Sequence, residues 1–235
     1  MEYINPRSAH ATEAVAYDEG LRAYMIKVYN LMAIALAVTG VVAFGVSSSE
    51  ALIGLIFNTP LKWVVMFAPL VFVIVFSMKI DSMSPSAAQA TLWAFSAVMG
   101  VSMSWIFLAY TGASIAKVFF ITASMFGAMS LYGYTTKRDL TGMGSFLFMG
   151  LIGIILASIV NIFLASPGLD FAISIIAVIV FVGLTAYDTQ RIKSMYYYST
   201  DGTTLSRFAV RGALSLYMDF INLFIQMLRF FGERR

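Results

Sequence analysis

The chain has 235 residues, of which 60% are hydrophobic and only 11% charged, with a net charge of +3. A soluble domain carries about a quarter charged residues, so this composition excludes an ordinary water-soluble globule and points to the bilayer as solvent. The lack of cysteine removes disulfides, thiol catalysis and cysteine-ligated metals, and the small, dispersed positive charge gives no footing for nucleic acid.

From the amino end, residues 1–22 are polar, contain Glu13, Asp18 and Glu19, and read as a cytoplasmic tail. The single histidine, His10, sits there as a solvated residue, which leaves no histidine base for the membrane interior. Uncharged runs follow at 28–49, 63–78, 82–116, 118–136, 140–169 and 171–187, and a seventh apolar stretch, 212–231, is interrupted by Asp219 and Arg229. Crossing about 30 Å of hydrocarbon takes roughly 20 helical residues. Each run can hold one span, the shortest drawing on snorkelling flanks such as Lys62 and Lys79. The first run is long enough to span, so it reads as an uncleaved first helix. Strand alternation is absent, which argues against a transmembrane barrel.

We predict an all-α integral membrane protein with helices near 24–46, 61–79, 87–109, 115–135, 143–165, 170–194 and 207–231, forming one domain over 23–235. Residues 50–61, EALIGLIFNTPL, are apolar but too short to cross, and read as interfacial or re-entrant. Turn signals separate the other spans: DSMSPSA (81–87), YTGAS (110–114), KRDLTGMG (137–144), SPGLD (166–170) and STDGTT (199–204).

Orientation follows the distribution of basic residues. With a cytoplasmic amino terminus, the inner side receives Arg7, Arg22, Lys27, Lys79, Lys137, Arg138, Arg191, Lys193, Arg207 and Arg211, against Lys62 and Lys117 outside. Seven crossings place Arg229, Arg234 and Arg235 outside, against the rule. Either the last segment crosses and its end is an exception, or it is re-entrant. Its length favours crossing.

The last helix carries its small and polar residues at Gly212, Ser215, Asp219, Asn222, Gln226 and Arg229. Steps of three and four place them on one helix face. Unpaired polar groups in hydrocarbon are costly, so this stripe faces protein or water, and the last helix is expected at the centre, wrapped by the other six. Ser215, Asn222 and Gln226 also suit plain hydrogen bonding between helices. Asp219 asks for more, because an ionisable residue inside a membrane calls for a partner. The best candidate is Asp188, near the inner end of the sixth helix in LTAYDTQRI, with Arg191 the next charge. At 1.5 Å per residue, Asp188 lies roughly 25 Å and Asp219 roughly 18 Å from the outer face, close enough for contact. Two such carboxylates share a proton or hold a hard cation that prefers oxygen ligands. Ser215 and Asn222 can add neutral oxygens, and Lys79 can tether an aspartate from the inner surface.

These residues carry a resemblance. ALSLYMDFINLFIQMLRFFG (213–232), AYDTQRI (186–192) and TTKRDLTGMGSFLFMGLIGIILASIVNIF (135–163) resemble the last-helix, sixth-helix and fourth-to-fifth-helix regions of the Bax inhibitor-1 family, also called the transmembrane Bax inhibitor motif family. The similarity covers nearly the whole chain after about residue 20. It implies seven helices around a central last helix and a calcium leak controlled by pH, with calcium and protons as the traffic. It also implies that Asp188 and Asp219 match the family's pH-sensing pair. From the stripe itself, the two aspartates are the expected metal site and Ser215, Asn222 and Gln226 the expected cation pathway. Lys79, in VFSMK, matches a basic residue that helps hold the closed state. Some relatives carry an acid within the second helix; here 63–78 has none, so no extra cation ligand comes from that side. The resemblance favours a bacterial, multi-pass inner-membrane protein with no resident cofactor.

Two other readings compete. Two aspartates on adjacent helices invite comparison with intramembrane aspartyl proteases, which resemble one another in a Gly-x-Gly-Asp motif. Here Leu216-Tyr217-Met218 precedes Asp219, with no glycine for close backbone approach, so no catalytic residue is assigned. The alternative function is a membrane-embedded regulator that binds a membrane protease or another partner without transport, through the tail and the basic inner loops.

Overall fold

A computed structural model describes residues 6–199 and 201–235, the segment 6–18 as backbone only. The side chains of residues 1–18, His10 among them, lie outside the described residues. The chain forms α1 (Pro6–Ser47), α2 (Glu50–Phe57), α3 (Leu61–Lys79), α4 (Pro85–Met103), α5 (Trp105–Ala109), α6 (Gly112–Thr135), α7 (Thr141–Leu164), α8 (Pro167–Tyr197) and α9 (Gly202–Phe231), with a single 3-10 turn, Ile80–Ser82, after α3. Among the described residues, seven segments are long and apolar enough to cross a membrane: Glu19–Ser47, Leu61–Ser82, Pro85–Ala109, Gly112–Thr135, Thr141–Leu164, Pro167–Tyr197 and Gly202–Phe231.

The predicted turns are where the chain finds its helix caps. Ser84, Thr111, Ser166 and Asp201 each accept a hydrogen bond from a backbone N–H in the first turn of the helix that follows. Pro85 and Pro167 stand directly after their caps, where a missing N–H costs nothing. Capping by Asp201 starts α9 at Gly202, ahead of the predicted 207, and α8 runs on to Tyr197. The helix expected from about 24 begins at Pro6, since no proline follows Pro6 to stop it. The third span is interrupted at Ser104, whose hydroxyl and N–H both bond the Val101 carbonyl. The short segment between the first two spans is a helix in its own right, α2, capped by Ser49.

Two thirds of the α9 span is buried inside the bundle, against 44% for the third and sixth spans and 6% for α7. Its main neighbours are α8, α1, α6 and α4, whereas α3 leans on α4 and α7 leans on α8. Instead of the expected six, four helices pack on α9, and α3 and α7 pack on other members of the bundle. Those two helices are apolar nearly all round and carry no polar stripe, so lipid serves them as well as protein does. Their exposed side chains include Trp63, Val71, Phe146, Ile155 and Phe163.

The ends of α9 fix its course. At its start, Arg211 pairs with Asp81 at 2.6 Å, and Lys27 donates to Ser206 at 3.0 Å. At its finish, Arg229 pairs with Asp170 at 3.0 Å. Beyond it, the Glu233 N–H donates to the Ser114 hydroxyl at 2.8 Å and the Glu233 carbonyl accepts from Thr111 N–H at 3.0 Å. Asp81 lies before the third span and Thr111 after it, so α9 runs from one end of the bundle to the other. The geometry is that of a crossing helix and not a re-entrant one.

The Asp201 cap is pH-sensitive. Bonds from the Thr204 N–H (2.7 Å) and hydroxyl (3.0 Å) hold its carboxyl below the usual aspartate value. A depressed folded value means that the cap stabilises fully above the unfolded carboxyl value and is lost as pH falls through the folded one. The cysteine-free chain also allows a clean topology test with single introduced cysteines. Cysteines at Thr111 and Arg235 should react with an impermeant maleimide from one side of the membrane, and those at Ser84 and Thr203 from the other. Labelling of Arg235→Cys and Thr203→Cys from the same side would overturn the crossing.

Candidate functional site

The site forms where α9 meets α8. Asp188 and Asp219 are both buried, 9% and 6% exposed, at neighbouring levels of the α8–α9 seam. One turn before Asp219, the Ser215 hydroxyl donates to Asp188 Oδ2. Asp219 Oδ2 is buried with no donor. Arg191 is a cation whose charge reaches Asp188.

Further along the stripe, Asn222 Nδ2 donates to the Met218 carbonyl of its own helix at 2.8 Å, and Gln226 Oε1 is buried without a partner. Lys79 ends α3 exposed, and among the described residues it forms no ion pair with either aspartate. At that end of the bundle the link to α9 is Arg211 with Asp81. The structure therefore unites Asp188, Asp219 and Ser215, extends the same face through Asn222 and Gln226, and leaves Lys79 apart. Among the described residues, no third carboxylate or histidine joins the pair to make a metal-binding cluster.

Close packing fixes Asp188. A Cβ on Gly133 of α6 would meet the Ala186 carbonyl carbon at 2.9 Å, with the oxygen nearer still, so only glycine admits α8 at this distance. On the other side, a Cβ on Gly144 of α7 would meet the Tyr187 ring at 2.5 Å. Gln190 braces the loop before α7, with Oε1 accepting from Leu140 N–H at 2.9 Å and Nε2 donating to the Arg138 carbonyl at 2.8 Å. These glycines and Gln190 went unread in the sequence, where their only signal is small or polar residues within apolar helices.

Two hydroxyl networks flank the pair, and both are satisfied. Thr189 spends its single proton on the Thr185 carbonyl at 2.8 Å. Ser130 must then donate to Thr189 at 2.9 Å, and Tyr29 to Ser130, giving a chain with one direction across α1, α6 and α8. Across α9, Tyr217 Oη lies 2.7 Å from Thr39 Oγ1, which is 3.0 Å from the Ser96 carbonyl. Chemically, the site offers two carboxyl groups and a hydroxyl away from water, a set suited to holding a proton or a hard cation.

Residues 21–235 match the protein family described as inhibitor of apoptosis-promoting Bax1. A protein of Rickettsia prowazekii is 52% identical over 219 residues, covering 93% of each chain. The inner membrane protein YbhL of Escherichia coli is 49% identical over 219 residues, covering 92% of this chain and 94% of its own. A membrane protein of Streptococcus pyogenes is 37% identical over 219 residues, covering 92% of this chain and 95% of its own.

The close approach at Gly133 generates a stability prediction. Gly133→Val forces a side chain into the α8 backbone, which cannot rotate away, and overpacking of this kind costs about 1–3 kcal/mol or more. Thermal unfolding in detergent should show a clearly lowered Tm, while Gly142→Ala, with open space at its Cβ, stays near wild type. Equal Tm values for the two would contradict the packing described.

Proposed function

The chain belongs to the Bax inhibitor-1 family of membrane proteins, and on that footing we propose that it is a pH-sensitive calcium leak gated by protonation of Asp188 and Asp219. The observation that carries the reading is two carboxyl groups buried at one seam of a spanning bundle, with Ser215, one turn before Asp219, donating to Asp188. A pair in contact ionises in two coupled steps. With one proton shared, the carboxyls hold α8 and α9 together. With that proton gone, two like charges face each other away from water, and the contact opens or takes up a cation. A doubly charged ion with oxygen preference suits the ionised pair, with Ser215, Asn222 and Gln226 lining the way along α9.

In this reading the amino terminus faces the cytoplasm, as the ten-against-two split of basic residues favours, and the last helix delivers the carboxy terminus outside. The membrane is the bacterial inner membrane, the location printed in the name of the Escherichia coli relative. No catalytic role is assigned to either aspartate.

The test is calcium flux into proteoliposomes of the purified chain across a pH series. Wild type is expected to show flux that changes with pH, and Asp188→Asn and Asp219→Asn each to flatten that dependence. Absence of flux in wild type, or an unchanged pH profile in both variants, would sink the leak and favour a regulator that binds a membrane protease or another partner.

A further inference from the structure

We infer that the cleft between α1 and α6 is a binding site for an anionic phospholipid, with its headgroup at Arg22 and Lys193 and an acyl chain laid against Phe126. Both helices pack on α9, yet they scarcely pack on each other; they meet through the hydroxyl contact of Tyr29 with Ser130. The seam so left holds two cavities. The larger, about 490 Å³, is lined by Arg22, Met25, Tyr29, Phe126, Ser130 and Tyr134. The smaller, about 110 Å³, continues the seam between Gly40 and Phe119 and is almost wholly apolar.

The larger cleft has a polar end and an apolar end. Arg22 is an exposed cation at its mouth. Lys193 Nζ lies 4.9 Å over the ring of Tyr134, a lining residue, and donates to its carbonyl at 2.9 Å, which puts a second positive charge beside the cleft. These residues stand where the first span begins and α6 ends, the level of lipid headgroups. Eight residues deeper along α6, roughly 12 Å, Phe126 marks an apolar floor, with Ile26 and Leu131 exposed at the rim. Cations at headgroup depth above an apolar trough complement an anionic lipid and discriminate against a zwitterionic one.

Gly127 supports an occupant. A glycine inside a helix costs stability relative to alanine, and at Gly127 no neighbour's approach requires it, for an added Cβ would meet nothing within 4 Å. Gly127 lines the cleft, and a larger side chain there would enter it.

The experiment is native mass spectrometry of the purified full chain after incubation with equal amounts of phosphatidylglycerol and phosphatidylcholine of matched acyl length. Wild type should retain phosphatidylglycerol preferentially. Arg22→Gln should lower that retention about fivefold, the worth of one basic residue at an anionic surface. Gly127→Leu should abolish the preference while the chain stays folded, since leucine there enters open space. Gly153→Leu, on the exposed side of α7, should behave as wild type. Equal retention of the two lipids, wild-type retention by both Arg22→Gln and Gly127→Leu, or conversion of a wild-type dimer to monomer by Gly127→Leu would overturn the proposal, the last by giving the cleft to a second copy of the chain.

Discussion

A carboxyl group at membrane depth has no water to solvate it, so whatever holds it must come from protein. Asp219 meets that requirement through Asp188 on the neighbouring helix, and the rest of the bundle follows from bringing the two together. The last helix has to be enclosed, because its stripe from Ser215 to Gln226 has no place against lipid. Enclosure in turn demands that α8 approach α6 and α7 closely, which is why Gly133 and Gly144 sit opposite Ala186 and Tyr187. Apolar helices without such obligations, α3 and α7, are free to stand at the periphery, and they do.

Between transmembrane helices there is no hydrophobic force to speak of, since lipid tails are as apolar as leucine. Contact must come from shape and from polar groups that find each other. The α8–α9 seam uses both: a Cβ on Gly212 would meet Ile192 at 3.0 Å, so glycine lets that side chain sit close, and one turn on, Ser215 reaches Asp188. At the two mouths of the bundle, where water is near, Arg211 with Asp81 and Arg229 with Asp170 add ion pairs that are partly exposed. Such pairs contribute little stability alone. Their effect is on register: they fix how far α9 slides along its neighbours, and hence whether Asp219 stays level with Asp188.

Much of this was legible in the chain because a bilayer simplifies the code. Uncharged runs mark spans, Ser, Thr and Asp before Pro or Gly mark caps, and a three-four spacing of polar residues marks an inward face. Asp219 could be read as buried from spacing, and depth brought Asp188 to the neighbouring helix at a similar level. What escaped was pairwise and geometric. Nothing in the run around Gly133 says that the backbone it admits belongs to Ala186, fifty-three positions later. The Tyr29–Ser130–Thr189 chain joins three helices, and no local pattern announces a contact between them. The start of α1 differs from the sequence reading for another reason: a polar segment marks the end of an apolar span but not of the helix, which continues back through Gly20 to Pro6.

The polar groups inside the bundle fall into two kinds, and the division bears on which of them are structural. The Thr39–Tyr217 pair and the Tyr29–Ser130–Thr189 chain are saturated, every proton with an acceptor. Saturated networks rigidify the packing they join. The stripe of α9 is different: Asp219 Oδ2 and Gln226 Oε1, two turns apart on one face, are buried without donors. Tyr24 Oη and Arg207 Nε, near the bundle's end, also lack partners, but only the α9 pair lies in the middle of a span. A carboxyl fully bonded within the protein could neither exchange its proton nor take a cation, and Asp219 Oδ2 is not so bonded. The same helix that is held most firmly by its neighbours therefore carries the atoms least committed to the resting arrangement.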